Sequence, residues 1–541
     1  MLADQKENKE PYWKKIQWNK FVTMRKLYTL IFMLLFYNSI LFAQDTHYWT
    51  NQFGPRGSIL GNSIIGSVKD NSSIYYNPGY LALVDTNNIS ISASIYQYDM
   101  LNIKDGAGKG YDLKSNQTQI LPSLVSGTYQ FKNGSKHKFG YAILTKNQTG
   151  IKTSSRIDKE LNVIPEYNNE GNEEFIGQFG LKTTLNEQWF GGCYSYKFND
   201  HFSLGFSAFG AYRNQSMEYS YTSKVILPSL SDYSIFITPL VAYSDIQSVE
   251  MSTLRGIGKI GLALSYSRID FGLTITTPGL PIYGSTTIQR DELYSNINLD
   301  DKNFSEYSQN ATNYTQFILA ADSFRFDLNQ NTFTVNGRQS SGTDNIKATY
   351  KSPLSIAAGI VFKSKSLDEY SLPKRKLFFS FEYFNSIDPY YLIKPETRGV
   401  IRPLDDNYPY TTVDFMGIVE APTTVLNIAI GYEQRISKNI NLLASFRTNN
   451  SFNDGYYSDM SISQSFWDLW HFSLGGIYKK KRSDISFGIS YCDGFGILEP
   501  YVVMTNPTEK NFLQGEIYET QSTFRSISFS IGYNYYFKCV D

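Results

Sequence analysis

The connections between the strand-like segments of this chain alternate in length, one short and the next long. The segments themselves alternate apolar and polar residues, as in Leu426–Tyr432, where Leu, Ile, Ile and Tyr alternate with Asn, Ala and Gly. A period of two predicts β-strands. Short turns such as KNGSK after Phe131 and NDH after Phe198 are each followed, one strand later, by a much longer loop. Such sorting is typical of membrane β-barrels, with short periplasmic turns and long extracellular loops.

Fourteen segments show this pattern, and their even number places both chain ends on the periplasmic side. The sequence therefore predicts an all-β fold, a fourteen-stranded antiparallel transmembrane β-barrel. The predicted strands span residues 89–98, 120–131, 137–148, 188–198, 202–213, 255–266, 269–278, 354–363, 377–386, 424–435, 439–448, 470–480, 484–492 and 525–537.

The composition agrees with a barrel and argues against a bundle of membrane helices. Aromatic residues make up 16% of the chain and charged residues only 18%, whereas about a quarter of the residues of soluble proteins are charged. The mean hydropathy is nevertheless negative, at −0.32, as expected when only every second residue of a strand faces lipid. We expect three tryptophans at the loop-side ends of strands to join an aromatic girdle. They are Trp189, Trp467 and Trp470.

The longest apolar run, Leu27–Ala43, follows Met24-Arg25-Lys26 and predicts a secretory signal peptide. We expect residues 1–43 to be leader and signal peptide, with Met24 as a candidate true start. Residues 44–88 are then a periplasmic-side hatch, and residues 89–541 are an outer-membrane barrel with long extracellular loops. Removing residues 1–43 takes away seven Lys and Arg and three Asp and Glu, so the net charge falls from 0 to −4. This weakly acidic balance argues against a nucleic-acid partner.

The segment between the signal peptide and the first strand, His47–Val84, is rich in Gly, Pro, Asn and Ser. It contains Asn77-Pro78-Gly79. Pro78 has a fixed φ and restricts Asn77 to extended or turn conformations. The Asn77 side chain can bond nearby backbone, and Gly79 permits a tight return. We expect a compact, mostly looped plug in the lumen, in which this turn is the gating element and either holds the plug or acts as a hinge.

The sequence HYWTNQFGPRGSILGNSIIGSVKDNSSIYYNPGYLALV resembles the N-terminal hatch of the FadL/TodX family of outer-membrane transporters. These proteins carry long-chain fatty acids and other hydrophobic compounds such as aromatic hydrocarbons. The family's hatch contains Asn-Pro-Ala, where this chain has Asn77-Pro78-Gly79. The resemblance implies uptake without energy input and sideways release near an inwardly kinked third strand. Gly140 lies in the predicted third strand and is the candidate for that wall kink.

Three charged residues lie on consecutive predicted strands, at positions opposite the apolar face: Glu382, Glu433 and Arg447. Buried charges need partners. We therefore expect a lumen charge ladder that braces the wall or grips the hatch. Arg56, Lys69 and Asp70 of the hatch are its candidate partners.

The function expected from this organisation is passive, hatch-gated transport of hydrophobic small molecules across the outer membrane. We expect a monomer in outer-membrane lipid and lipopolysaccharide that binds a hydrophobic small-molecule ligand and uses no cofactor and no metal. The four histidines form no metal-ligand pair and no catalytic constellation is evident, so an enzyme is not predicted. Two alternatives stay open: a secretion-associated barrel that binds exported proteins, and a passive porin.

Overall fold

The computed structural model describes twelve stretches of the chain. They are residues 46–68, 70–84, 87–131, 135–164, 172–226, 240–300, 321–327, 332–365, 373–398, 411–453, 462 and 467–537. The predicted leader and signal peptide, residues 1–43, lies outside the described residues, as does Lys69.

Nineteen strands are present within these stretches, in the following order. They are β1 (Asn88–Ile103), β2 (Leu113–Tyr129), β3 (His137–Leu161), β4 (Glu173–Lys197), β5 (Phe202–Ile226), β6 (Leu240–Ser265), β7 (Ile269–Thr276), β8 (Leu280–Asp300), β9 (Ala321–Asp327), β10 (Thr332–Ile346), β11 (Ser355–Lys363), β12 (Arg375–Phe384), β13 (Tyr390–Ile393), β14 (Ile418–Glu420), β15 (Val425–Arg435), β16 (Ile440–Asn449), β17 (Leu469–Lys479), β18 (Ser483–Leu498) and β19 (Thr520–Tyr536).

Fourteen of these strands form a closed antiparallel barrel. Strands β1 to β7 pair in chain order, β7 pairs with β11, and the ladder continues through β12 and β15 to β19. Strand β19 then pairs with β1 and closes the barrel, from Asn88 opposite Tyr536 to Ile103 opposite Ser522. Strand β8 continues along β6 and, with β9 and β10, extends the wall at the long-loop end, whereas β13 and β14 form a separate two-stranded sheet. The predicted fold class is confirmed.

The barrel presents apolar residues outward and polar or small residues inward. In β15, Leu426, Ile428 and Ile430 are 50%, 41% and 40% exposed, whereas the inward-facing Asn427 and Glu433 are 0% and 4% exposed. A sheet with its apolar face outside and its polar face inside suits a barrel surrounded by lipid.

Strands β2 to β6 extend further towards the long-loop end than the sequence predicts, and β6 reaches 26 residues. Along these extensions many of the outward residues are polar, as where Lys182 of β4 pairs with Glu218 of β5 at 2.5 Å. The apolar alternation that reveals a strand inside the membrane is therefore lost, although the backbone ladder continues.

The hatch fills the lumen with four short helical turns joined by tight bends. Two are single α-helical turns, Gly57–Leu60 and Ser73–Tyr76, and two are 3-10 helices, Gly61–Gly66 and Pro78–Leu83. Their apolar side chains pack with inward-facing wall residues in one buried cluster. Its members include Phe53, Ile59, Leu60, Ile64, Ile74 and Leu81 from the hatch and Leu124, Phe209 and Phe378 from the wall.

A second apolar cluster, which we call the cap, closes the long-loop end. Residues of β4 and β5, such as Phe179 and Tyr221, pack there with Trp467, Met504 and Leu513 from loops. Trp467 is fully buried and Trp189 is 6% exposed, so the prediction that these two belong to a lipid-facing girdle is wrong: both side chains face inward. Among the described residues, no helix has the length and apolarity needed to cross a membrane.

Candidate functional site

Asn77-Pro78-Gly79 is buried between the hatch and strands β4, β5 and β6. Asn77 is fully buried and caps the following 3-10 helix, because its Oδ1 accepts a hydrogen bond from the Gly79 amide at 3.0 Å. Its Nδ2 donates to the carbonyl oxygen of Leu262 in β6 at 2.9 Å and to that of Ile65 within the hatch at 3.3 Å. One side chain thus orders the turn and ties it to the wall.

Gly79 fits this place because a methyl group would not. A Cβ atom on Gly79 would lie 2.8 Å from the Gly261 carbonyl oxygen and 2.9 Å from the Ala263 nitrogen. Its own carbonyl oxygen accepts hydrogen bonds from the Ser203 hydroxyl at 2.7 Å and the Ser195 hydroxyl at 3.2 Å. Glycine at this position therefore permits direct backbone contact between hatch and wall.

Glu382 and Arg447 both hold Trp49, close to the start of the hatch. The Trp49 indole nitrogen donates to Glu382 Oε2 at 2.6 Å, and Ser355 donates to Oε1 at 2.6 Å. Arg447 Nη1 donates to the Trp49 carbonyl oxygen at 2.7 Å. Both charged groups are thus satisfied through the hatch or the wall, and not by each other.

Glu433 forms an ion pair with Arg56, which we call the latch. The Glu433 side chain also accepts from Lys376 at 3.3 Å and from Asn441 Nδ2 at 2.5 Å. The side chains of Arg56 and Glu433 are 13% and 5% exposed, so the pair is largely removed from water. Asp70 stays within the hatch, where its Oδ1 accepts from the Ser72 amide at 2.9 Å.

A small cavity of about 70 Å³ lies between the hatch and the cap at the long-loop end. Aromatic and charged side chains both line it. The aromatic lining is Tyr48, Tyr75, Trp189, Tyr350, Phe384 and Phe452, and the charged lining is Lys146, Glu187, Arg213, Arg255, Lys259 and Glu382. Pockets for drug-sized ligands measure about 300–1,000 Å³, so this cavity is too small for such a ligand in the present conformation.

The charges around the cavity are unequally compensated. Glu187 is bound by Arg213 at 3.1 Å and by Arg255 at 2.7 Å. Lys146 and Lys259 instead face the Tyr75 ring, with ammonium-to-centroid distances of 5.5 and 4.3 Å. Within the described part of the chain, neither ammonium has a carboxylate partner within 4.0 Å. The cavity therefore combines an aromatic wall with two cations that could receive an anionic group.

The third strand is irregular at Lys146 and not at Gly140. The ladders through Gly140 continue without a register shift, opposite Thr128 on one side and Cys193 on the other. A Cβ atom on Gly140 would lie 2.7 Å from Ile74 Cδ1 of the hatch, so this glycine makes room for the plug. The register between β3 and β4 instead shifts at Lys146.

The wall ladder between β2 and β3 also stops close to Lys146. It runs from Tyr129 opposite Phe139 to Leu124 opposite Leu144 and does not continue into the long-loop halves of the two strands. The exposed backbone at this point is met by the hatch, since Asn51 Nδ2 donates to the Thr145 carbonyl oxygen at 3.0 Å. The interruption in the wall thus adjoins both the hatch and the cavity.

No protein-family model and no curated protein sequence matches the chain. Solved structures do. A Pseudomonas aeruginosa FadL homologue aligns with a TM-score of 0.50 and 14% identity, covering 92% of this chain and 100% of the other. The P. putida toluene transporter TodX aligns with a TM-score of 0.47 and 12% identity, over 91% and 100% of the two chains. The Ralstonia pickettii toluene transporter TbuX aligns with a TM-score of 0.47 and 11% identity, over 90% and 99%.

At these identities the comparison concerns the fold. The chain has the fold of the FadL homologue, and this similarity of fold covers 92% of the chain.

Two residues of the cavity, Lys146 and Lys259, were not among the residues singled out from the sequence. Lys259 was nevertheless detectable: in the predicted strand 255–266 it lies, with Arg255, on the face opposite Ile260 and Leu262. Lys146 could not be detected from the sequence, because a bulge changes the alternation at that position.

Proposed function

We propose that the chain is an outer-membrane transporter that passes hydrophobic small molecules passively, with the hatch as its gate. The proposal rests mainly on the cavity between the hatch and the cap, which is lined by aromatic rings together with Lys146 and Lys259. A long apolar chain suits the aromatic lining, and an anionic head group suits the two ammonium groups. Among the hydrophobic compounds expected for this family, long-chain fatty acids have both parts.

The small volume of the cavity supports gating. A space of about 70 Å³ lies well below the roughly 300 Å³ of the smallest ligand pockets and cannot hold a fatty acid. The ligand can enter only if the hatch or the cap moves. Trp49, through its hydrogen bonds with Glu382 and Arg447, and Arg56, through its ion pair with Glu433, tie the hatch to the wall, and such a movement would break these contacts.

The proposed way out is sideways, where the β2–β3 ladder stops. Lys146 lines the cavity at this interruption and Asn51 covers the Thr145 carbonyl oxygen. A shift of the hatch would withdraw Asn51 and open a path from the cavity to lipid. An apolar ligand would then partition into the membrane without crossing water, which is favourable in proportion to its apolar area.

A passive porin fits less well. Porins have a water-filled lumen, whereas Phe53, Leu60 and Leu81 of the hatch are fully buried in a continuous apolar cluster with the wall. A secretion-associated barrel would use its long loops, and it predicts co-purification with an exported protein.

The test is uptake of labelled oleate by cells that lack their own fatty-acid transporter and express the mature chain. We expect uptake above the empty strain, and a loss of about tenfold or more when Lys146 and Lys259 are both changed to methionine. Lys182→Met, on the outer surface far from the cavity, is the matched control. Correctly inserted protein without a gain in uptake would exclude fatty acids as the ligand, and labelled toluene then tests the neutral-hydrocarbon version.

A further inference from the structure

A second and larger cavity, of about 300 Å³, lies at the short-turn end of the barrel between the hatch and the wall. We call it the vestibule. Its lining includes six cationic and three anionic side chains, so its formal charge is +3. They are Arg56, Lys363, Lys374, Lys376, Arg435, Lys479, Asp70, Glu433 and Asp484.

The three carboxylates are engaged elsewhere or shared. Asp70 accepts from the backbone amide and the hydroxyl of Ser72 within the hatch turn. Asp484 accepts from the Tyr536 hydroxyl at 2.9 Å. Glu433 is shared, because its two oxygens are divided among Arg56, Lys376 and Asn441. The lining therefore holds more positive charge than its carboxylates compensate.

The uncompensated positive charge of the vestibule can be assigned to particular side chains. Among the described residues, neither Lys374 nor Lys479 has a carboxylate oxygen within 4.0 Å of its ammonium nitrogen, whereas Lys363 pairs with the buried Asp270 at 2.7 Å. Lys479 lies on β17 and Lys376 on β12, and both line the vestibule. A cavity with low-dielectric walls and one sign of charge concentrates oppositely charged solutes.

We propose that the vestibule binds a small organic anion carrying a carboxylate or a phosphate, and that the bound anion competes with Glu433 for Arg56 and Lys376. Guanidinium and ammonium groups bind both kinds of anion through charge-assisted hydrogen bonds. The volume, at the lower limit of about 300–1,000 Å³ for ligand pockets, admits a compact anion and excludes a long chain. Because Arg56 belongs to the hatch and Glu433 to the wall, the anion would weaken the latch.

This site is separate from the cavity above the hatch, and anion binding in it does not depend on the proposed transport function, whereas its effect on hatch opening rests on the proposed gating by the hatch. A chain that fails to take up oleate could still bind an anion in the vestibule. The binding test is therefore made on the purified full chain in non-ionic micelles at low ionic strength.

Calorimetric titration with inorganic phosphate and with succinate measures binding and distinguishes the two anion classes. We expect saturable binding of at least one, with affinity reduced about tenfold by Lys376→Gln and by Lys479→Gln. Lys479→Arg, which keeps the charge, should retain the affinity. Lys182→Gln, an exposed lysine at the opposite end of the barrel, is the matched control. Absence of saturable binding, or equal affinity in both glutamine variants and wild type, would overturn the proposal.

Planar-bilayer recording tests the competition with Glu433. The bound anion, added only to the chamber that faces the short-turn end, should raise the frequency of hatch opening. The same addition to Lys479→Gln should have less effect at equal concentration. Saturable binding without any change in opening frequency would refute the coupling to the latch.

Discussion

Replacing Gly79 by alanine should displace the hatch from its contact with the wall. The added Cβ would lie 2.8 Å from the Gly261 carbonyl oxygen and 2.9 Å from the Ala263 nitrogen. Both are main-chain atoms of β6, so no side-chain rotation can relieve the contact. Gly79 does not have a left-handed φ, so the backbone itself accepts alanine and the effect is steric.

The magnitude follows from the contacts that must change. Overpacking by one methyl group in a tight core costs about 1–3 kcal/mol, and the displacement that relieves it also lengthens the hydrogen bond from Ser203 to the Gly79 carbonyl, now 2.7 Å. We take a cost of about 2 kcal/mol. Because about 1.4 kcal/mol corresponds to a factor of ten, the fraction of molecules whose hatch has moved away from the wall should rise about 30-fold.

Hydrogen exchange followed by mass spectrometry measures the fraction of molecules with a displaced hatch. Peptides covering residues 73–84 should exchange about 30-fold faster in Gly79→Ala than in wild type, with peptides of the barrel strands unchanged. Gly192→Ala is the matched control, because its Cβ would meet nothing closer than the Gly140 carbonyl oxygen at 3.8 Å. Equal exchange of the hatch in Gly79→Ala and wild type would refute the steric account.

Three further predictions concern the hatch contacts and the loop beside them. The first, Glu433→Gln, removes the carboxylate that pairs with Arg56. Because breaking a largely buried ion pair costs about 3 kcal/mol, hatch openings in planar bilayers should become about 100-fold more frequent. An unchanged opening frequency would contradict the role of this pair as a latch. Trp49→Phe leaves a buried carboxylate without one donor and should lower stability by about 1–3 kcal/mol, measured as faster exchange at the start of the hatch. Burial raises the pKa of Asp468 from 3.8 to about 7, so the folded chain holds this proton more tightly than the unfolded chain, and stability falls as pH rises from about 4 to about 7. The Ser451 amide donates to Asp468, and its protection factor, which is its exchange relative to the intrinsic rate at each pH, should fall over that window in wild type and not in Asp468→Asn.

The strands and the plug could be predicted from the sequence because their physical signals are local. Alternation such as that of Leu426–Tyr432 records lipid on one side and the lumen on the other, and the turn-rich hatch contrasts with it. Beyond the membrane the outer face meets water, as at Lys182 and Glu218, so alternation no longer marks the strand and the extensions of β2 to β6 were missed.

The site could be predicted only in part, because its contacts depend on register and on the path of the hatch. The period of two indicated that Glu382, Glu433 and Arg447 face the lumen. It did not indicate that Glu382 and Arg447 bind Trp49, or that Glu433 pairs with Arg56. The kink at Gly140 was expected from the family resemblance and not from the period of two, and the register irregularity of β3 lies instead at Lys146. Glycine permits several roles, and only the packed structure selects among them.

Conductance after removal of the plug tests the central claim most directly. The variant lacking Gly54–Val84, purified and inserted into planar bilayers with barrel folding checked by heat-modifiable electrophoretic mobility, is compared with the full-length mature chain. If the hatch closes the lumen, the deletion should give a stable, water-filled pore with ion conductance far above that of the full chain. Unchanged conductance in a correctly folded barrel would mean that this segment does not plug it.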